Sequence, residues 1–203
     1  MLDSLYLLYL LFSFCIIKKE MKIVVYCSSQ EGLDEKYQQL ARELGTWIGQ
    51  QGHTLLYGGS NAGLMHITAA ATHAAGGHII GVIPEMFRHR IDPVCDEVVY
   101  TANLGDRKQY MIEHGDVFVV MPGGIGTLDE WMSTLAVMTI GNDDPRPVIA
   151  VNIDGLYDAT IQQLADMTRT PFARGKNLAR TLAATNAAEL LSTLSTISTQ
   201  TSR

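Results

Sequence analysis

Positive charge is scarce in this chain and is nowhere concentrated. The 203 residues include 15 lysines and arginines against 21 acidic residues, which gives a formal net charge of -6. No basic run is longer than Lys18-Lys19. Because a nucleic-acid partner needs a basic surface to meet its phosphate backbone, we expect no nucleic-acid partner.

The sequence also lacks the residue spacings of metal sites and of several catalytic motifs. Cys15, Cys27 and Cys95 are far apart, which is typical of free or buried thiols in a reducing cytoplasm. There is no G-x-S-x-G motif of a serine hydrolase and no G-K-[ST] of a P-loop. No H-x-x-x-H or H-E-x-x-H spacing occurs either, so no metal site is predicted. We predict ordinary surface or partly buried positions for the six histidines, which are His53, His66, His73, His78, His89 and His114.

Residues 1–20 form an apolar extension that differs from the rest of the chain. Its apolar run, 5–17, is shorter than the about 20 residues that span a bilayer. The basic residues follow this run instead of preceding it, unlike those of a signal peptide. "MKIVVYCSS", from Met21, resembles a natural start, and we interpret 1–20 as a mis-assigned start. A membrane or interface anchor and a packed extra helix are the alternatives.

From Met21 onward, short apolar runs alternate with amphipathic segments. Strands are predicted over 22–29, 54–59, 78–84, 97–101, 116–124, 147–152 and 181–185. Helices are predicted over 33–52, 61–77, 105–115, 126–141 and 156–168, with one more at the end. Continuous apolar strands between helices indicate a doubly wound α/β fold, with a parallel sheet covered on both faces. With no repeat or linker in view, we expect 21–203 to be a single domain. Its ligands should bind at the carboxyl ends of the strands.

The stretch "MPGGIGTLDE" (121–130) follows the most apolar predicted strand and opens a helix. Its glycines allow backbone N–H groups to approach a ligand, and the helix start adds unpaired donors. Together these features indicate an anion site, most often for phosphate, with Thr127 as a helix cap or a hydroxyl donor. A tight turn without a ligand is the alternative.

Charged residues lie close to this loop in the predicted fold. Asp129 and Glu130 fall in the first helical turn, where acids stabilise the helix dipole. Glu130 also shares a helical face with Thr127, so its carboxylate could touch the sugar of a bound nucleotide. Arg107 and Lys108, in "GDRKQYM", either pair on the surface or face the glycine loop and clamp an anion. Lys108 alone gives no support for a pyridoxal enzyme.

A second glycine loop, "YGGSNAGLM" (57–65), follows another predicted strand. Gly58, Ser60 and Gly63 occupy the places of a G-x-G-x-x-G fingerprint, with serine in the middle position. The loop follows the second strand, whereas a dinucleotide fingerprint follows the first. A nicotinamide cofactor is therefore disfavoured.

These motifs together resemble one family. "PGGIGTLDE" matches the P-G-G-x-G-T-x-x-E signature of the LOG (LONELY GUY) family, the cytokinin riboside 5′-monophosphate phosphoribohydrolases. "GDRKQYM" resembles its R-K-x-x-M segment, and "YGGSNAGLM" its Y-G-G-G-x-x-G-L-M loop. The resemblance runs in order from Met21 to about Asn152.

The resemblance implies a Rossmann-like fold, at least a homodimer, and no metal or organic cofactor. The implied reaction hydrolyses the N-glycosidic bond of AMP or an N6-substituted AMP, releasing free base and ribose 5-phosphate. Arg107 and Glu130 fall on the catalytic positions. The implied binding residues for the 5′-phosphate and the rest of the nucleotide are Gly123, Gly124, Ile125, Gly126, Thr127, Lys108, Asp129 and Gly59.

The sequence departs from the family pattern in the second glycine loop. His66 stands where the family usually has glycine, which leaves the preference for the base open. An acid after the third strand contacts substrate in some members, and here Glu85 and Asp92 are both candidates. A non-catalytic carrier of a nucleotide or of the molybdenum cofactor, and a different N-glycosidase, are the alternative functions. Retention of both Arg107 and Glu130 favours the enzyme, because a carrier needs the loop but not the acid.

Overall fold

A computed structural model describes residues 20–140, 144–170 and 181–200. The predicted extension, apart from Glu20, lies outside the described residues. The strands are β1 (Lys22–Tyr26), β2 (Thr54–Tyr57), β3 (His78–Pro84), β4 (Glu97–Thr101), β5 (Val117–Val120), β6 (Val148–Val151) and β7 (Thr181–Ala184). The helices are α1 (Glu35–Gln50), α2 (Gly63–Ala74), α3 (Leu104–His114), α4 (Ile125–Ile140), α5 (Asp158–Thr168) and α6 (Ala187–Gln200).

The described strands form one seven-stranded sheet in the order β4-β3-β2-β1-β5-β6-β7. Every pairing between neighbours is parallel. Helices α1, α2 and α6 pack on one face, and α3, α4 and α5 pack on the other. The doubly wound α/β fold predicted from the sequence is therefore confirmed.

The apolar strands are continuous because successive side chains serve two different cores. In β1, Ile23 and Val25 point into the core under α1, whereas Val24 and Tyr26 point into the core under α4. A strand covered by helices on both faces needs apolar residues at every position. This is why the sequence showed runs instead of alternation.

Several strands end earlier than predicted, and the difference falls at the carboxyl edge of the sheet. The predicted strand 22–29 stops at Tyr26, and 116–124 is ordered as a strand only over Val117–Val120. The residues beyond these ends turn into loops above the sheet. Part of the predicted irregular segment 85–95 forms a short 3-10 helix, Glu85–Arg90.

The strand order reverses between β1 and β5, which are adjacent in the sheet but far apart in the chain. From β1 the chain winds outward through β2, β3 and β4, and it returns to the other side of β1 at β5. The two loops that follow β1 and β5 therefore diverge and leave a crevice between them. Doubly wound sheets bind ligands at such a reversal point.

Arg146 ties the end of α3 to the sheet. Its guanidinium donates to the carbonyls of Ile112 and Gly115 at 2.5 and 2.6 Å, pairs with Asp144, and lies over the Phe118 ring. We expect Arg146→Ala to lower the free energy of unfolding by about 2 kcal/mol. The substitution leaves the carbonyls at the end of α3 and the partly buried Asp144 carboxylate without their hydrogen-bond donor.

Urea titration of purified Arg146→Ala would measure this loss. Arg169→Ala is the matched control, because Arg169 pairs with Asp166 on the surface, where both side chains are at least half exposed. Such pairs contribute about 0–1 kcal/mol. Equal losses in the two variants would contradict the role assigned to Arg146.

The described residues contain neither a helix that could cross a membrane nor a cluster of metal-binding side chains. Within them, no helix is both long and apolar enough to cross a bilayer. The same part of the chain holds no group of three or more histidine, cysteine or acidic side chains placed to bind a metal ion.

Candidate active site

The glycine loop (residues 122–127) connects β5 to α4 and carries unpaired backbone donors. The helix begins at Ile125, and its first helical bond runs from Leu128 N–H to the Gly124 carbonyl. The N–H groups of Ile125, Gly126 and Thr127 find no acceptor in the described part of the chain. Free donors at a helix start, together with the positive end of the dipole, favour an anion.

The loop combines open and crowded glycines. A Cβ added at Gly124 or Gly126 would meet no atom within 4 Å, so ligand atoms can approach the backbone there. A Cβ at Gly123 would lie 2.1 Å from Thr127 Oγ1 and 2.6 Å from Thr127 Cβ. Gly123 therefore lets Thr127 fold back against the loop, and Thr127 is only 3% exposed.

These contacts predict unequal stability effects for substitutions at two neighbouring glycines. Gly123→Ala should lower the free energy of unfolding by about 1–3 kcal/mol, because the new methyl group overlaps Thr127. Gly124→Ala should change it by no more than about 0.5 kcal/mol, because its methyl group points into open space. Chemical denaturation of both variants checks this, and equal stabilities would show that the Thr127 contact does not constrain the loop.

Tyr157 braces the glycine loop from the far side. Its hydroxyl donates to the Met121 carbonyl at 2.8 Å and accepts from the Gly123 N–H. The ring packs edge-on against Trp131 of α4, and burial raises the pKa of Tyr157 to about 12. The hydroxyl therefore stays protonated and fixes the loop before the helix begins.

Arg107 and Glu130 meet across the helices α3 and α4. An Arg107 Nη2 donates to Glu130 Oε1, and the side chains are 14% and 3% exposed. Arg107 Nε, also buried, has no hydrogen-bond partner among the described residues. The guanidinium thus holds the carboxylate in place from the neighbouring helix.

The protonation of Glu130 is set by its burial. Removal from water raises the pKa of Glu130 to about 7, although the positive charges of Arg107 and Lys108 lower it and Asp129 raises it. A carboxyl group with a pKa near neutrality can exchange a proton or act as a carboxylate under ordinary conditions. Glu130 is thus suited to acid–base or electrostatic chemistry.

Lys108 and Asp129 form a second pair beside the first. Lys108 Nζ donates to both Asp129 oxygens at 2.7 Å and to Ser133 Oγ at 3.0 Å. The two pairs answer the question that the sequence left open, because both cations reach across to α4 instead of pairing with Asp106 or Glu113. Lys108 and Asp129 do not themselves line the cleft onto which Arg107 and Glu130 open.

A cleft of about 340 Å³, called here the main cleft, lies at the reversal point of the sheet. It is bounded by the loop after β1 and by the start of α4. Its walls are formed by Cys27, Ser28, Ser29, Gln30, Met65, Arg107, Gly124, Ile125, Gly126, Thr127 and Glu130. The structure thus brings both predicted catalytic residues and most of the predicted phosphate-binding residues to one space.

The other predicted residues lie outside the main cleft. Gly59 adopts φ +72° and packs against Ile83 and Ile91. Glu85 is exposed on the 3-10 helix and pairs with Arg88. Asp92 is buried and reaches His66 at 2.8 Å, so of the two candidate acids only Asp92 is built into a polar contact in the interior.

Sequence reasoning missed the pairing of His66 with Asp92 and the bracing role of Tyr157. His66 was predicted as an ordinary histidine, although its departure from the family glycine was a usable signal. Tyr157 carries no such signal, because nothing in a linear pattern shows that its hydroxyl meets a loop 36 residues away in the chain.

Comparison with known proteins shows the family. A family model described as possible lysine decarboxylase matches residues 65–194. A cytokinin riboside 5′-monophosphate phosphoribohydrolase of Arabidopsis thaliana is 33% identical over 182 residues, covering 88% of this chain and 79% of that protein. One from Oryza sativa subsp. japonica is 39% identical over 140 residues, covering 68% of this chain and 57% of that protein.

Solved structures show the same fold at lower identity. The molybdenum cofactor binding protein of the phototrophic bacterium Rippkaea orientalis is similar with a TM-score of 0.70 and 23% identity, over 88% of this chain and 98% of that one. This likeness concerns the fold alone. With the predicted motifs, the matching family model and the plant relatives in agreement, the chain belongs to the LOG family.

Proposed function

We propose that this protein hydrolyses the N-glycosidic bond of AMP or of an N6-substituted riboside 5′-monophosphate. The products are the free base and ribose 5-phosphate. The observation that carries the proposal is the buried Arg107–Glu130 pair, which opens onto the same cleft as the unpaired N–H groups of the glycine loop. A phosphate held by the loop leaves its sugar beside a carboxylate. The names of the plant relatives support the same class of reaction.

In the proposed reaction Glu130 acts on the sugar. Glycoside cleavage passes through an oxocarbenium-like state in which positive charge develops on the ribose. A carboxylate in a site that excludes most water stabilises this charge strongly, and it can orient the attacking water. The departing purine is a poor anion, so protonation or hydrogen bonding of the base assists the bond to break.

Arg107 positions both the acid and the nucleotide. Its Nη2 holds Glu130, and because Arg107 lines the main cleft its guanidinium can also donate to a phosphate or ribose oxygen. Guanidinium groups suit such forked contacts because their donors are fixed in one plane. The substrate is thereby held in the orientation that the reaction requires.

The residues do not fit a pyridoxal cofactor, which the description of the family model would imply. Such a cofactor needs a lysine free to form a Schiff base. Among the described residues no lysine lines the main cleft, and Lys108, the one nearest Arg107 in sequence, is held by Asp129 and Ser133. We therefore derive no decarboxylase chemistry from this site.

A carrier without catalytic activity is less well supported than the hydrolase. A carrier would use the glycine loop, but it has no need of a carboxyl group buried to 2% exposure with a pKa near 7. Burial of an ionisable group is costly, and it is concentrated at sites that use the group. The carriers of similar fold support only the architecture.

The homodimer implied by the family resemblance stays a prediction. Ile125 at the edge of the main cleft is 85% exposed, and Ile140 at the other end of the same helix is 84% exposed. A second copy that covers such apolar side chains would lie next to the substrate.

The direct test is incubation of the purified protein with AMP and with isopentenyladenosine monophosphate. Chromatography would follow the free base, and a phosphosugar assay would follow ribose 5-phosphate. We expect both products in equal amounts, and the two rates would rank the substrates. Absence of base release from either nucleotide, together with tight nucleotide binding, would favour the carrier instead.

A further inference from the structure

A second cavity of about 230 Å³, called here the side cavity, adjoins the main cleft. The loop after β1 and the start of α2 form its walls, which include Leu33, Asn61, His66 and Ile67. Gln30 lines both spaces, so the main cleft and the side cavity meet at this residue. The side cavity is therefore the neighbouring space for a part of a ligand that the main cleft does not hold.

His66 is held in the wall of the side cavity by a buried acid. Its Nδ1 lies 2.8 Å from Asp92 Oδ2, and the Asp92 side chain is completely buried while that of His66 is 44% exposed. Asp92 is itself fixed, because Oδ1 accepts from Val94 N–H and its backbone N–H donates to the Gly59 carbonyl. The imidazole is therefore oriented from behind.

The contact with Asp92 settles which ring nitrogen of His66 is left for a ligand. A carboxylate can only accept a hydrogen bond, so Nδ1 carries the hydrogen in the bond to Asp92. In the neutral ring the opposite nitrogen, Nε2, then has a free lone pair and acts as an acceptor. Within the described residues Nε2 has no hydrogen-bond partner.

The proposed reaction gives this acceptor a ligand. With the phosphate at the glycine loop and the ribose beside Glu130, the base is the part of the nucleotide left to extend past Gln30. The side-chain amides of Gln30 and Asn61 can both donate and accept, as recognition of a purine edge requires. Leu33 and Ile67 add apolar surface beside them.

We propose that the side cavity holds the purine base and that His66 Nε2 accepts a hydrogen bond from its 6-amino group, an inference that rests on the proposed function. A 6-oxo purine would place lone pairs against Nε2 and is therefore disfavoured. N6-substituted adenines retain one N–H, so the same contact admits them. His66 thus selects 6-amino purine nucleotides, and Asp92 is its positioning residue.

The test is equilibrium binding by calorimetry at about pH 8. The probes are AMP, inosine 5′-monophosphate and ribose 5-phosphate. The variants are His66→Ala, His66→Gln, which keeps an acceptor oxygen, and His73→Ala. His73 is an exposed histidine on the same helix and serves as the matched control.

We expect the wild-type protein to prefer AMP over inosine monophosphate. His66→Ala should reduce that preference about 10- to 100-fold, the effect of losing one buried hydrogen bond, and leave ribose 5-phosphate binding unchanged. His66→Gln should restore part of the preference, and His73→Ala should keep all of it.

An unchanged ratio of the two affinities in His66→Ala would overturn the inference, and so would the binding of neither nucleotide by the wild-type protein. The readout separates this proposal from the proposed function. A His66-dependent preference for AMP in a protein that releases no base would overturn the hydrolase alone and support the base contact.

Discussion

Glu130→Gln should lower the rate of nucleotide hydrolysis by about 10³-fold or more, while AMP binding stays close to the wild-type value. The amide keeps the size of the carboxyl group and an oxygen that can accept from Arg107, so the cleft keeps its shape. It cannot carry the negative charge that stabilises the developing oxocarbenium ion, nor can it take a proton from water. Single-turnover hydrolysis and calorimetric binding measure the two effects separately.

Glu113→Gln provides the matched control for this substitution. Glu113 is exposed on α3, on the surface away from the main cleft, and its partner is Gln109 one helical turn earlier. This variant should hydrolyse AMP at the wild-type rate. Full activity in Glu130→Gln would remove the acid from the mechanism, and lost binding would show that the substitution had altered the cleft instead of the chemistry.

The sequence predicted the sheet and the main cleft because both depend on local patterns. Strands such as β1 must be apolar at every position to serve two cores, and that requirement is visible in the residues themselves. The glycine loop and Glu130 are close together in the chain. Helical spacing also places Thr127 of this loop and Glu130 on one face of the helix. Ligands of such folds bind at the carboxyl ends of the strands, and this places the glycine loop and the loop 57–65 at one edge of the sheet.

What the sequence did not predict depends on contacts between distant segments. Arg107 reaches Glu130 from another helix. The sequence alone did not decide whether Arg107 pairs with an acid on the surface or faces the glycine loop. Glu85 is exposed and Asp92 is buried, and a linear pattern does not show this difference between the two candidate acids. The strand ends were also predicted too late, because Cys27 and Met121 continue the apolar runs of β1 and β5 beyond the last paired residues.

The pKa of Glu130 predicts how stability depends on pH. Burial raises this pKa from its ordinary 4.5 to about 7. Between these two values the folded chain holds a proton that the unfolded chain has released. Folding therefore takes up a proton there, and the contribution of Glu130 to the free energy of unfolding falls as the pH rises. Above about pH 7 both states are ionised and the loss is complete.

At about 1.4 kcal/mol for each pKa unit, the loss amounts to about 3 kcal/mol. Glu130→Gln has no proton to exchange, so its stability relative to wild type should rise by this amount between about pH 4 and about pH 8. Urea denaturation of both proteins across this range gives the difference. Any constant effect of the altered contact with Arg107 cancels in the comparison, as do all other titrating groups that the two proteins share.

Ionisation of Glu130 should also control activity, but activity should rise with pH where stability falls. If the carboxylate is the reactive form, kcat/KM falls about tenfold for each pH unit below about pH 7 and is level above it. Activity then rises over the range where the wild-type protein loses stability to the buried charge. Parallel stability curves for the two proteins would mean that Glu130 is not the buried titrating acid. If kcat/KM falls only far below pH 7, a group other than Glu130 controls the pH dependence of the rate. If the pH dependences of stability and of kcat/KM have the same midpoint, the burial that costs stability is also what sets the reactive form of Glu130.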